Sequence, residues 1–328
     1  MQPYPIKFHP IFKEKVWGGR RLEELLEKDL PADKPIGESW EVSTVGGSES
    51  VIANGPLAGI KLNEALRRHS KTILGQLAGK YPQGEFPLLV KFVDAHDDLS
   101  VQVHPGGEDL KKPALRGGRE KNEGWFVIYA DRGARLVAGI SGDLTKTGLE
   151  RIAKTPEIEK ALKYLPVKTG DAVFLKTGTV HAIGRGILLY EIQQPSDTTY
   201  RVWDYNRPGL DGKPRATHLK EALECIRFGA RMPRKLRGRI MGRKPERIRY
   251  FDNIHFSLEM MSARGVFEWP YKSGFPRTAT VLAGGMTLRG GFGEVRAGAG
   301  ETVLIPADLK SLELKARVPL LVLVARPK

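Results

Sequence analysis

The sequence predicts a mainly β protein: two antiparallel barrels or sandwiches in succession, with helical insertions in the first. Three observations predict it. Apolar and polar residues alternate in short runs such as PLLVKFVD (Pro87 to Asp94), LSVQVHP (Leu99 to Pro105), GWFVIYA (Gly124 to Ala130) and GILLYEI (Gly186 to Ile192), the pattern of strands with one face inward. Thirty-seven glycines and 22 prolines in 328 residues supply frequent turns. Helical periodicity is confined to a few places, and the elements lack both the βαβα rhythm of a parallel sheet and a Gly-x-Gly-x-x-Gly after a strand.

In chain order, Leu22 to Leu26 predicts a short helix. Leu62, Ala65, Leu66, His69, Ile73 and Leu77 recur every three or four positions and predict a longer one. The four alternating runs follow. Thr155-Pro156-Glu157 sets a capping hydroxyl, a proline and a carboxylate at the start of a further helix, and Leu219 to Ile226 predicts another. From Tyr250 the chain becomes a succession of short strands parted by turns, among them HFSLEMM, TATVLAGG and GEVRAGAGETVLIP. Val318 to Ala325, the longest apolar run, reads as a buried terminal strand, far short of the roughly 20 residues that cross a bilayer. GAGETVLIPAD (Gly298 to Asp308) repeats the turn, acid, strand, turn order of TGDAVFLKTGT (Thr169 to Thr179), which hints at two related barrels. Expected domains are 1–226, a connector 227–249, and a metal-free barrel 250–328, since no histidine follows His255.

Net charge is +15, and its location matters more than its size. Arg227 to Arg249 holds ten Arg or Lys against Glu246 alone, so +9 sits in 23 residues and +6 in the remaining 305. No aromatic residue lies between Phe228 and Tyr250, so the stacking partners of a single-strand nucleic-acid surface are missing, and a solvated connector is expected. Cys225 stands alone, which excludes an internal disulfide. The amino-terminal segment lacks a signal-peptide apolar stretch, so the expected location is cytoplasmic, without membrane association.

Seven histidines occur, and most require no function. Gln102 and His104 differ: residues i and i+2 of a strand share a face, so both project from one side while Val101 and Val103 take the other. Glu123 opens the apolar strand of KNEGWFVIYA, and His181 follows a Gly-Thr turn in KTGTVHAIG. One amide, one carboxylate and two imidazoles form a sensible donor set for a divalent metal of the zinc type, although their spacing alone is not diagnostic. Between Glu191 and Arg207 lie further acids and arginines, including Asp197 and Arg201. They could serve surface ion pairs, or base and cation chemistry on an anionic carbonyl substrate.

At these residues the sequence resembles a known family. FPLLVKFVDAHDDLSVQVHP, KNEGWFVIY, GTVHAIGRGILLYEIQQPSDTTYRVWDY, KVWGGRRLEE and IGESWEVS resemble the type I mannose-6-phosphate isomerases, especially their short bacterial form, over most of Phe8 to Arg207. The resemblance implies a pair of cupin-like jelly rolls and a zinc-dependent aldose-ketose isomerase interconverting mannose 6-phosphate and fructose 6-phosphate through an enediol. It implies one zinc held by Gln102, His104, Glu123 and His181, with Arg201 as the active-site arginine. Lys91, Ser100, Lys121, Glu191 and Asp197 fall where the family lines its sugar-phosphate pocket, and Arg207 falls more loosely where longer members carry a phosphate-contacting lysine. Glu191, Asp197 and a zinc-bound water stay open as the base.

Lys176 stands where many cupins have proline. Only Thr145 to Tyr164 offers helix between Glu123 and His181, which implies a more open pocket than in longer members. The expected partner is a small sugar phosphate, and the oligomeric state is left open. The competing functions are a catalytically inactive, sugar-phosphate-binding regulatory bicupin and a nucleic-acid binder driven by the basic run.

Overall fold

The structure, a computed structural model, describes residues 1–81 and 83–328. It is mainly β, built from three antiparallel sheets. A seven-stranded sheet runs, in spatial order, through Lys235–Leu236, Ala172–Leu175, Glu123–Ala130, Ile187–Gln193, Leu89–Ala95, Ile36–Val42 and Ile11–Gly19. A five-stranded sheet, in the order Tyr200–Trp203, Val101–Val103, His181–Ile183, Arg135–Ile140 and Leu162–Pro166, closes the first barrel against it. A nine-stranded sheet forms the second barrel around the long strands Phe256–Glu268 and Glu313–Pro327. Among the described residues no helix is long and apolar enough to cross a membrane.

The alternating runs are strands, and the pairing register explains why they are so apolar. Trp125, Glu191, Lys91 and Trp40 stand in one row across four strands of the seven-stranded sheet. On this face Val93, Trp125, Val127, Leu189 and Leu175 form the floor of the first barrel. The opposite face does not reach water. Phe92, Tyr190, Ile192 and Phe126 pack on Phe251, Phe256, Leu258 and Leu323 of the second barrel, with Phe92 and Tyr190 edge to face at 5.8 Å and Phe126 and Tyr250 at 5.2 Å. Each such ring contributes on the order of 2 kcal/mol by burial, and the central strands are buried on both sides. Gly124 lies in this contact, and a side chain there would run into the ring of Phe251.

The two barrels are also laced by the chain. Ile6–Lys7 pairs with Val303 and Leu304 of the second barrel. Within 227–249, Lys235–Leu236 pairs with Ala172 and Val173 of the first barrel, while Arg239–Arg243 forms an edge of the nine-stranded sheet. Helix Leu62–Leu74 buries Leu62, Ala65, Leu66, Ile73 and Leu74 in the shared core, and Ala307 of the second barrel donates its N–H to Ile73 O at 2.9 Å.

Arg21–Leu26 and Leu219–Cys225 are helical as expected, while two other helices are shorter than predicted. Leu62–Leu74 kinks at His69 and continues as the 3-10 segment Gly75–Lys80. The capping hydroxyl that works is Thr145, which accepts Gly148 N–H at 3.1 Å and opens Lys146–Ile152. After Thr155-Pro156 only Ile158–Ala161 is helical, because Leu162 then pairs with Ile140 and draws the chain into the five-stranded sheet.

Candidate active site

The first barrel opens at one end onto a cavity of about 280 Å³. The seven-stranded sheet supplies one wall: Glu38, Lys91, Glu123 and Glu191 point inward because they keep step with the apolar residues of the floor. The five-stranded sheet supplies the other. Gln102 pairs directly with His181 on one neighbouring strand and with Arg201 on the other, so all three share a face.

His104, Glu123 and His181 are buried and bring one ligand atom each to within 4.8 Å of the others. His104 Nε2 lies 3.1 Å from Glu123 Oε1, and His181 Nε2 lies 3.4 Å from Glu123 Oε2. Neither Nε2 atom makes a hydrogen bond, nor does Glu123 Oε2. The tautomers follow from the other side of each ring. His104 Nδ1 faces Thr198 O at 2.9 Å and His181 Nδ1 faces Thr179 O at 2.8 Å. A carbonyl only accepts, so each Nδ1 carries the proton and each neutral ring turns a bare Nε2 lone pair inward. Burial, with the Lys121 ammonium next in effect, pushes His104 down to about 3, and burial likewise depresses His181. Glu123 is held well below the usual carboxylate range, against its burial, chiefly by the Lys121 ammonium at 2.9 Å. Two lone pairs and a carboxylate thus converge with no proton between them. That donor set fits a divalent cation, with the Gln102 amide oxygen alongside His181 as a further donor.

Around this centre the lining carries five cations, Lys15, Lys91, Lys121, Arg201 and Arg215, against four carboxylates, Glu38, Glu123, Glu191 and Asp197. Lys91 sits 3.4 Å from both Glu38 and Glu191, which hold its ammonium charged despite burial. Glu191 is raised by burial and by Glu123, and its buried Oε1 has no hydrogen-bond partner. Arg201 is oriented by Nη1 donating to Ala216 O at 2.7 Å, while its buried Nε has no partner. Ser100 is buried in the wall, and Asp197 is exposed at the rim.

Of the residues singled out in the sequence, Lys91, Ser100, Gln102, Lys121, Glu123, Glu191, Asp197 and Arg201 line the cavity, and His104 and His181 stand behind it. Arg207 does not reach the wall. Its guanidinium is taken by Asp204 at 2.9 Å and Asp97 at 3.4 Å, and Arg215, held by the same Asp204 at 2.5 and 2.6 Å, lines the cavity. Lys15 and Arg215 were not legible as site residues, being isolated cations in a strand and a loop. Asn122 was missed too. Its side chain accepts Thr177 N–H at 3.2 Å, donates to Gln194 Oε1 at 2.8 Å and meets His255 Nε2 at 3.2 Å, tying three segments to the strand of Glu123.

Comparison with known proteins agrees with this geometry. The profile of the phosphomannose isomerase type I catalytic domain matches residues 6–123. The chain is 40% identical over 226 residues to the mannose-6-phosphate isomerase ManA of Bacillus subtilis (strain 168), covering 69% of each. It is 36% identical over 225 residues to the mannose-6-phosphate isomerase of Streptococcus mutans serotype c, covering 69% of this chain and 68% of that one. The crystal structure of the mannose 6-phosphate isomerase from Bacillus subtilis superposes with a TM-score of 0.88 over 99% of both chains at 28% identity.

Proposed function

The chain belongs to the type I phosphomannose isomerase family, and on that premise we propose that it interconverts mannose 6-phosphate and fructose 6-phosphate in the cytoplasm, using one zinc ion held by Gln102, His104, Glu123 and His181. The observation that carries this reading is the pair of bare, buried Nε2 lone pairs directed at the Glu123 carboxylate. Zinc there would supply Lewis acidity to the sugar oxygens.

The rest is the work of the side chains. Five cations against four carboxylates leave the lining at +1, and a divalent ion raises it to +3, which suits a phosphate dianion. Lys91 and Ser100 hold the phosphate in this reading, with Arg215 where the sequence pointed to Arg207 and Lys121 near the reacting end. Glu191 is the base. Its unpartnered Oε1 and raised pKa suit a group that takes the proton from C2 of mannose 6-phosphate and returns it to C1, while the O2 proton passes to O1. Arg201, next to Gln102 with a free Nε, stabilises negative charge on the enediolate oxygens. Asp197 at the rim acts on the sugar hydroxyls.

A coupled assay for fructose 6-phosphate formed from mannose 6-phosphate, with and without chelator, tests the reading. Turnover abolished by chelation and restored by zinc is expected; undiminished turnover in a demonstrably metal-free protein would overturn it.

A further inference from the structure

The mouth of the second barrel gathers arginines for which the catalytic chemistry has no use. Val324 pairs with Glu259 on one side and Ala279 on the other, and Val324 and Ala279 belong to the barrel's interior core. Two residues along each strand, Arg326 and Arg277 keep that inward face. Because Thr278 pairs with Ala325, Arg277 and Arg326 stand opposite one another, an arrangement of like charges that costs stability. Arg247 joins them from the strand paired at Met261. The guanidinium carbons of Arg247 and Arg277 lie 5.3 and 5.0 Å from the ring centre of Tyr271, and that of Arg326 lies 5.1 Å from the ring centre of Phe275.

The carboxylates at this end are Glu259, whose buried Oε2 has no hydrogen-bond partner, and Asp252. Glu259 holds Arg249 at 2.7 Å and meets Arg247 at 3.9 Å, and Asp252 holds Arg249 at 2.9 Å and Lys328 at 2.6 Å. Among the described residues Arg277 and Arg326 are in no ion pair. Arg277 is only 9% exposed and is fixed by Nη1 donating to Lys272 O at 2.8 Å and Phe275 O at 3.2 Å. Carbonyls orient a guanidinium without neutralising it. Tyr271 Oη is buried without a hydrogen-bond partner.

We propose that Arg277, Arg326 and Tyr271 form an oxyanion site in the mouth of the second barrel, suited to a phosphoryl group and separate from the catalytic cavity. Two guanidinium groups and a phenolic O–H offer charge-assisted donors to one tetrahedral anion, which would remove the repulsion across the strands. Burial and the nearby Arg326 draw Arg277 down to about 10, with Tyr271 and Glu259 acting the other way, and burial and Glu259 keep Tyr271 protonated.

The test is equilibrium binding of inorganic phosphate to the intact chain, alone and with saturating fructose 6-phosphate. The two arms separate a free phosphate from the phosphoryl group of a sugar. Two oxyanions per chain in total are expected. Arg326→Gln should weaken one of them on the order of tenfold or more, the loss of one charge-assisted hydrogen bond, and leave turnover unchanged. A total of one oxyanion per wild-type chain overturns the proposal without any variant. Unfolding in chloride adds a second readout: Arg326→Gln should be no less stable than wild type, and a lower Tm together with unaltered phosphate binding would make the arginine purely structural.

Discussion

His104 donates from Nδ1 to the carbonyl oxygen of Thr198, 2.9 Å away. The bond fixes the tautomer that directs Nε2 at Glu123, and it ties the loop carrying Asp197 to the centre it serves.

Metal occupancy should follow the two imidazoles. His181→Ala and His104→Ala are expected to lose both bound metal and turnover, whereas His255→Ala, on the second barrel, keeps its metal. Elemental analysis of the purified variants checks this. Full zinc in His181→Ala would remove that residue from the donor set.

Arg201 should matter to turnover more than to binding. A well-placed donor to a developing oxyanion is worth about 3 kcal/mol, so Arg201→Ala should lower kcat roughly a hundredfold with a modest change in KM. Arg201→Lys should recover part of the rate, because an ammonium lacks the planar fork of a guanidinium. Steady-state kinetics decides: a raised KM with unchanged kcat would make Arg201 a ground-state contact.

Stability should respond to pH through Asp94. Its carboxyl is fully buried, and burial raises it from 3.8 to about 6, against the Arg21 N–H at 2.8 Å and the Arg21 guanidinium. Since the folded chain holds this proton more tightly than the unfolded one, ionising Asp94 removes stability as pH rises from about 4 to about 6. Asp94→Asn should therefore be more stable than wild type at pH 8, by on the order of 2 kcal/mol, and not at pH 4. Urea unfolding at both values measures it; an equal effect at the two would mean the gain is unrelated to ionisation.

Gly124 should tolerate no side chain while Phe251 is present. Gly124→Ala forces the ring of Phe251 aside and should cost roughly 1–3 kcal/mol, with weaker metal binding because Glu123 is the adjacent residue. Phe251→Leu in the same chain should recover part of the loss, and additive losses in a double-mutant cycle would show that the two positions are not coupled.

The basic run should be dispensable for catalysis. Arg234, Lys235, Arg237 and Arg239 are absent from the cavity wall, so replacing all four with glutamine should leave kcat/KM within a small factor. A hundredfold loss with metal retained would bring this segment into the active site.

Much of the fold was legible in the sequence because strand alternation is local. PLLVKFVD and GILLYEI show it, and Gln102 and His104 could be recognised as a pair from a spacing of two residues. Arg215 and Lys15 could not, since their place on the wall depends on the long-range partners Asp204 and Glu38. The sequence pointed to Arg207 and not to Arg215; both hold Asp204 in the structure, and it is Arg215 that faces the cavity. The Thr155-Pro156-Glu157 signal was a sound helix start overruled by strand pairing two turns later.

The seven-stranded sheet has no weather side. One surface carries the catalytic wall and the other is papered by the second barrel, so the partition that holds Glu123, Glu191 and Lys91 has rings such as Phe92, Tyr190 and Phe126 at its back. A chain cut before Tyr250 would expose that back as a broad apolar plate. The carboxyl-terminal barrel thus acts as a foundation for the chemistry next door, and the two halves would be inherited, and lost, together.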